Sequence, residues 1–89
     1  MIKTEITIIN KLGLHARAAA KLASTANQFG CAIKTGHPDK LVDAKSVMSL
    51  MLLAASQGTV LSFEFDGGDE RRAHDSIVEL IQNRFGEEQ

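Results

Sequence analysis

The sequence predicts an α+β protein, an open-faced β-sandwich in which helices cover one face of a single sheet. Three observations predict it. Segments at either end of the chain alternate polar and apolar residues with the period of a strand. Two others carry a single apolar stripe with the period of a helix. The two kinds are interleaved over 89 residues with no linker, repeat or low-complexity stretch. Strands with one polar face and helices with one apolar stripe leave one side of the sheet to water.

In chain order, Ile2, Ile6 and Ile8 fall on one side of an alternation and Lys3, Glu5 and Thr7 on the other, so Ile2 to Ile9 reads as a half-buried strand. Asn10, Lys11 and Gly13 break it. From Ala16 to Gln28 the spacing becomes Ala19, Leu22, Ala23 and Ala26, a narrow Ala-rich stripe that lets a helix pack closely. Gly30 stops the helix, Cys31 to Thr35 reads as a second strand, and Gly36-His37-Pro38-Asp39 as a turn with Pro fixing φ. Leu41 to Asp43 returns as a short third strand. Ser46 then precedes a dense apolar segment, Val47-Met48 and Leu50 to Ala55, without β-branched residues after Val47, which reads as a short helix capped by Ser46. Thr59 to Asp66 alternates again, with Leu61, Phe63 and Phe65 inward. Asp66-Gly67-Gly68-Asp69 forms a turn and helix cap, and the stripe Ala73, Ile77, Leu80 and Ile81 closes near Phe85.

Composition narrows the function. A chain of 89 residues, 44% hydrophobic, supports one core, residues 1–89 as a single domain, but is too short to close a deep cavity, so chemistry belongs on its surface. Ten basic against eleven acidic residues point to neither a nucleic-acid partner nor an acidic membrane. Four Phe without Tyr or Trp offer little for base stacking. The first residues lack the charged and apolar regions of a signal peptide, and no apolar run reaches the ~20 residues of a membrane span, so neither secretion nor membrane insertion is expected. Cys31, the one cysteine, has no disulfide partner and suits a reducing cytoplasm.

Gly13-Leu14-His15-Ala16-Arg17 lies where the first strand hands over to the first helix, which puts His15 at the cap position. Unpaired N–H groups and partial positive charge make a helix N-terminus a ready phosphate site. The same field favours a neutral, nucleophilic imidazole. Arg17 adds a permanently charged planar fork for phosphate oxygens, Gly13 room for a tight turn, and Leu14 an anchor into the core. The alternative is a solvent-exposed capping His without chemistry. His37, beside Pro38, and His74, in the last helix, read as exposed. With Cys31 they have no metal-ligand spacing, so no metal is expected. Asp39, Asp43, Asp66 and Asp69 read as turn and cap formers, and Cys31 as a small core residue.

The run Gly13 to Arg17 resembles the active-site signature of the histidine-containing phosphocarriers of the bacterial phosphotransferase system, the HPr and NPr family. Ala44-Lys45-Ser46, Gln57-Gly58-Thr59 and the chain length extend the resemblance over essentially the whole sequence. It implies a four-stranded antiparallel sheet under three helices. It also implies phosphorylation of His15 on Nδ1 by enzyme I, with transfer to an enzyme II A-type domain and Arg17 stabilising the phosphate. No cofactor is implied beyond a phosphoryl group that originates in phosphoenolpyruvate. Some relatives with this segment can be phosphorylated on the residue matching Ser46 by a dedicated Ser-specific HPr kinase/phosphorylase, which makes Ser46 a candidate regulatory site.

Two departures stand out. The family usually has Pro where this chain has Ala18, which restores one N–H and loosens the first turn. Sugar-shuttling members often carry Lys where this chain has Ser24, Asn27 and Ser49. The remaining basic rim is Arg17, Lys21 and Lys45, around an apolar docking centre of Ala16, Ala20, Val47, Met48 and Met51. A nitrogen-branch regulatory carrier, a non-transferring regulatory module of the same fold and an unrelated small enzyme are the alternatives. Asn10-Lys11-Leu12 and the Lys-poor rim lean toward the nitrogen branch, and Lys45-Ser46 toward a kinase-controlled HPr.

Overall fold

A computed structural model describes all residues, Met1–Gln89. The elements are β1 (Ile2–Thr7), α1 (Ala16–Ala26), β2 (Ala32–His37), β3 (Lys40–Asp43), α2 (Val47–Leu52), β4 (Val60–Asp66) and α3 (Glu70–Gln82), followed by a 3₁₀ turn over Arg84–Gly86. The strands form one sheet of order β1-β4-β2-β3, antiparallel at every pairing. The fold is the predicted α+β open-faced sandwich.

The alternation read from β4 sets the register of the core. Phe65 lies opposite Ile2 of β1 and Ile33 of β2, and Leu61 lies opposite Ile6. Phe63 and Phe65, both without exposed surface, stack at 6.0 Å between ring centroids. On the other face Glu64 lies in register with Lys3 and Lys34, the polar row of a sheet left to water. The stripes of α1 (Ala18, Ala19, Leu22, Ala23, Ala26) and α3 (Ala73, Ile77, Ile81) close the covered face.

Several boundaries differ from the sequence reading, each for a tertiary reason. The second strand runs on through Gly36 and His37, which pairs with Lys40, so the turn shrinks to Pro38-Asp39. α1 stops at Ala26, where Asn27 folds its side-chain amide back onto the Ala23 carbonyl at 2.8 Å. α2 stops at Leu52 instead of reaching Ala55, because Ala54 takes a left-handed φ of 52° and the Ala55 carbonyl turns to serve the loop before α1. α3 ends at Gln82, and Phe85 reaches the core through the following turn. Asp69 precedes α3 but its carboxylate makes no cap bond. It accepts instead from the Gly30 and Cys31 N–H groups at 2.8 and 2.9 Å, and the Gly30 bond is the main reason its carboxyl titrates below the usual range. His74 is half-buried, not exposed: it packs edge-on against Phe65 with ring centroids 5.5 Å apart, and its Nδ1 pairs with Asp75.

Candidate functional site

His15 is the N-cap residue of α1, its backbone extended and its carbonyl taking the first helical bond from Ala19 N–H at 2.8 Å. Its side chain makes no cap bond. The N–H groups of Ala16, Arg17 and Ala18 therefore have no helical partner, and the terminus offers donors and partial positive charge to an anion.

The loop in front of the helix fixes that position. Asn10, fully buried, donates from Nδ2 to the Gly13 carbonyl at 2.8 Å, and its own carbonyl accepts from Gly13 N–H at 3.1 Å. Leu14 buries its side chain and donates its N–H to the Ala55 carbonyl at 2.8 Å. Gly13 has a φ of +68°, and a Cβ there would lie 2.5 Å from the Ala55 oxygen and 2.8 Å from Ser56 Cα. A left-handed backbone pressed against another backbone leaves no space for a side chain. Gly13→Ala is expected to cost on the order of 2–4 kcal/mol, from the left-handed penalty plus overpacking. The measurement is the denaturant midpoint at unchanged slope. A midpoint equal to that of the wild type would mean that the loop relaxes and does not hold the site.

The imidazole is partly covered, 29% exposed, and its Nε2 lies 2.6 Å from Glu87 Oε2. Glu87 Oε1 accepts from Asn10 Nδ2 at 3.0 Å. The Asn10 bond first, and the His15 bond after it, hold the Glu87 carboxyl below the usual carboxylate range. Arg17 stands exposed on the first turn of α1, and with His15, Lys11 and Glu87 it lines an open depression, a surface site and not a cleft.

The expected docking face is present in part. Ala16 and Ala20 are exposed on α1, and Val47, Met48 and Met51 on α2 are 38%, 75% and 46% exposed, so none of those three is core. Leu50 alone of α2 is buried. Leu12 and Leu52, at 67% and 79% exposure, extend the apolar surface beyond the residues the sequence reading named. The basic rim is less free than expected. Lys21 Nζ donates to the Phe85 carbonyl at 2.5 Å and Lys45 Nζ to the Phe29 carbonyl at 2.8 Å, whereas Arg17 has no ion pair with a carboxylate. Ser46 caps α2, its Oγ accepting from Ser49 N–H at 3.2 Å. No three His, Cys, Asp or Glu side chains come together as a metal-binding group.

Sequence reasoning missed Asn10 and Glu87. Asn10 carried the signal of a strand breaker and, with Lys11 and Leu12, a leaning toward the nitrogen branch, neither of which marks a site residue, and Glu87 stands beside Glu88 and Gln89 in an acidic, polar stretch.

A histidine at a helix N-terminus, with an Arg on the first turn of the same helix and exposed apolar side chains on a second helix, defines a small domain that presents an imidazole at its surface. Comparison with known proteins gives that class its family. A family model described as "PTS HPr component phosphorylation site" matches residues 2–83. The chain is 51% identical to the phosphocarrier protein HPr of Cupriavidus necator over 98% of both chains. It is 55% identical to HPr of Pseudomonas putida over 93% of both. It superimposes on the crystal structure of HPr-C-His from Thermoanaerobacter tengcongensis with a TM-score of 0.95, at 44% identity and full coverage of both chains. The chain belongs to the HPr family of phosphocarrier proteins. It is a carrier in the phosphotransferase system, a substrate of that system's enzymes and not itself an enzyme. No helix is long and apolar enough to cross a membrane.

Proposed function

We propose that His15 accepts a phosphoryl group on Nδ1 from enzyme I and passes it to an enzyme II A-type domain in the cytoplasm. The group originates in phosphoenolpyruvate, and the carrier needs no cofactor. The observation that carries this reading is the position of His15 at the N-terminus of α1, beside helical N–H groups without partners and the exposed guanidinium of Arg17. Those groups stabilise the dianion once it is on the ring. The exposed apolar cluster of Val47, Met48 and Met51 suits a small transient interface with both partners. Retention of both His15 and Arg17 speaks against a module that has abandoned transfer. Incubation with enzyme I and phosphoenolpyruvate, followed by intact mass, tests the reading. A gain of one phosphoryl group is expected, and a regulatory module would gain none.

Within this function the sugar-branch HPr role is favoured over the nitrogen branch by Lys45-Ser46 at the start of α2 and by the HPr relatives. Ser46 is proposed as a regulatory site for a Ser-specific HPr kinase/phosphorylase. As a cap it contributes roughly 1 kcal/mol, and phosphate there adds about −1.5 to −2 charges at a helix N-terminus beside the docking face. The negative charge favours the helix and opposes an acidic upstream enzyme. Ser46→Asp is therefore expected to accept phosphate from enzyme I more slowly than wild type or Ser46→Ala, while melting no lower than Ser46→Ala. Indistinguishable acceptance rates would leave Ser46 as a cap and nothing more.

A further inference from the structure

We propose that Glu87 is a positioning residue for His15: its carboxylate holds the imidazole with the proton on Nε2 and so leaves Nδ1 as the nucleophile. The inference rests on the reading of His15 as the acceptor and adds what sets its reactive nitrogen.

The geometry permits one assignment of the proton. An ionised carboxylate only accepts, so across the 2.6 Å contact with Glu87 Oε2 the ring must donate from Nε2. The distance lies at the short end for a charge-assisted bond. A neutral ring protonated there carries its lone pair on Nδ1, which makes no bond within the chain. The orientation of the carboxylate is itself fixed. Asn10, fully buried, occupies Oε1 from Nδ2 and leaves Oε2 for the ring.

The contact is reached through a strained stretch of backbone. Arg84, Phe85 and Gly86 take φ values of 54°, 55° and 80°, so two non-glycine residues in succession are left-handed. That bend turns the segment after α3 back over the start of α1. Burial of the Phe85 ring, the Lys21 bond to the Phe85 carbonyl and the Lys11 N–H bond to the Gln89 carbonyl at 3.0 Å hold it there. Hydrophobic burial of Phe85 explains the bend. It does not explain why the next side chain meets the imidazole with one oxygen and a buried amide with the other.

In the transfer step the Nδ1 lone pair forms the N–P bond, and the bond from phosphorus to the donor's leaving atom breaks with its electron pair going to the donor. The Nε2 proton stays on the ring. The ring becomes cationic as the bond forms, and the Glu87 carboxylate 2.6 Å from Nε2 offsets that charge. In the reverse step, delivery to the next acceptor, the same proton stays in place while the lone pair returns to Nδ1.

The test measures the ring tautomer and the transfer rate together. In ¹⁵N-labelled protein, at a pH alkaline enough for imidazoles to be neutral, two-bond ¹H–¹⁵N correlations report which nitrogen of His15 carries the proton. The wild type is expected to show a protonated Nε2 and a bare Nδ1. In Glu87→Gln, Asn10 claims the amide oxygen and the carboxamide NH₂ faces Nε2, so the proton moves to Nδ1. Acceptance from enzyme I is then expected to slow on the order of tenfold, as the competent fraction of the ring falls. Glu87→Ala removes the lock without reversing it, so a mixture of tautomers and a smaller rate loss are expected. A purely structural Glu87 would change melting in these variants but not the tautomer. With phosphate mapped to His15, an unchanged tautomer or an unchanged rate in Glu87→Gln overturns the role of Glu87 alone. Phosphate mapped to another residue overturns the acceptor reading, and the role of Glu87 with it.

Discussion

His15→Ala is expected to take up no phosphate from enzyme I and phosphoenolpyruvate, whereas the wild type takes up one phosphoryl group. His37 lies exposed at the end of β2, and His74 is packed against Phe65 and paired with Asp75, so neither sits at a helix N-terminus. Only His15 combines that terminus with a nearby free Arg. The His15 side chain makes no cap bond, so its truncation removes the contact with Glu87 but leaves the start of α1 in place, and circular dichroism should show an unchanged sheet and helix content. The label on the wild type should be lost in mild acid, because protonation of the ring nitrogen makes imidazole a good leaving group. Phosphate retained on His15→Ala, or an acid-stable label on the wild type, would remove His15 from the mechanism.

Arg17→Ala is expected to slow acceptance tenfold to a thousandfold, on the order of the loss of one group that stabilises transition-state charge. The guanidinium is exposed and has no carboxylate within ion-pair distance, so nothing in the fold depends on its charge. The melting temperature should therefore stay close to that of the wild type while the rate falls. Stopped-time phosphorylation at matched concentrations separates the two effects. Equal rates would mean that the helical N–H groups carry the phosphate without Arg17. A matching loss of stability would mean that the side chain packs in a way its exposure does not suggest.

The two other basic residues expected at the rim make the contrast. Lys21 and Lys45 spend their ammonium groups on the carbonyls of Phe85 and Phe29, partners 64 and 16 residues distant in sequence. Their replacement should disturb the chain's own turns as well as any docking. Nothing in the spacing of a lysine says whether a carbonyl from another part of the chain will reach it.

What the sequence determined by itself follows from local periodicity and local chemistry. The alternation of Leu61, Phe63 and Phe65 set the inward face of β4, the Ala-Leu stripe set the close-packed face of α1, and Ser46 before an apolar run set a cap. The Gly13 to Arg17 run placed His15 at a helix start, because a break, a left-handed Gly and a helical run are all encoded within a few residues. Tertiary structure alone decided where α2 ends, since the Ala55 carbonyl is taken by Leu14 N–H from the loop before α1. It alone decided what the His15 ring faces. Glu87 meets that ring from 72 residues away, carried there by a bend at Arg84 and Phe85 that burial of one aromatic ring stabilises. Periodicity encodes which face of an element is buried. A hydrogen bond between distant residues depends on how the chain closes, and no local pattern carries it.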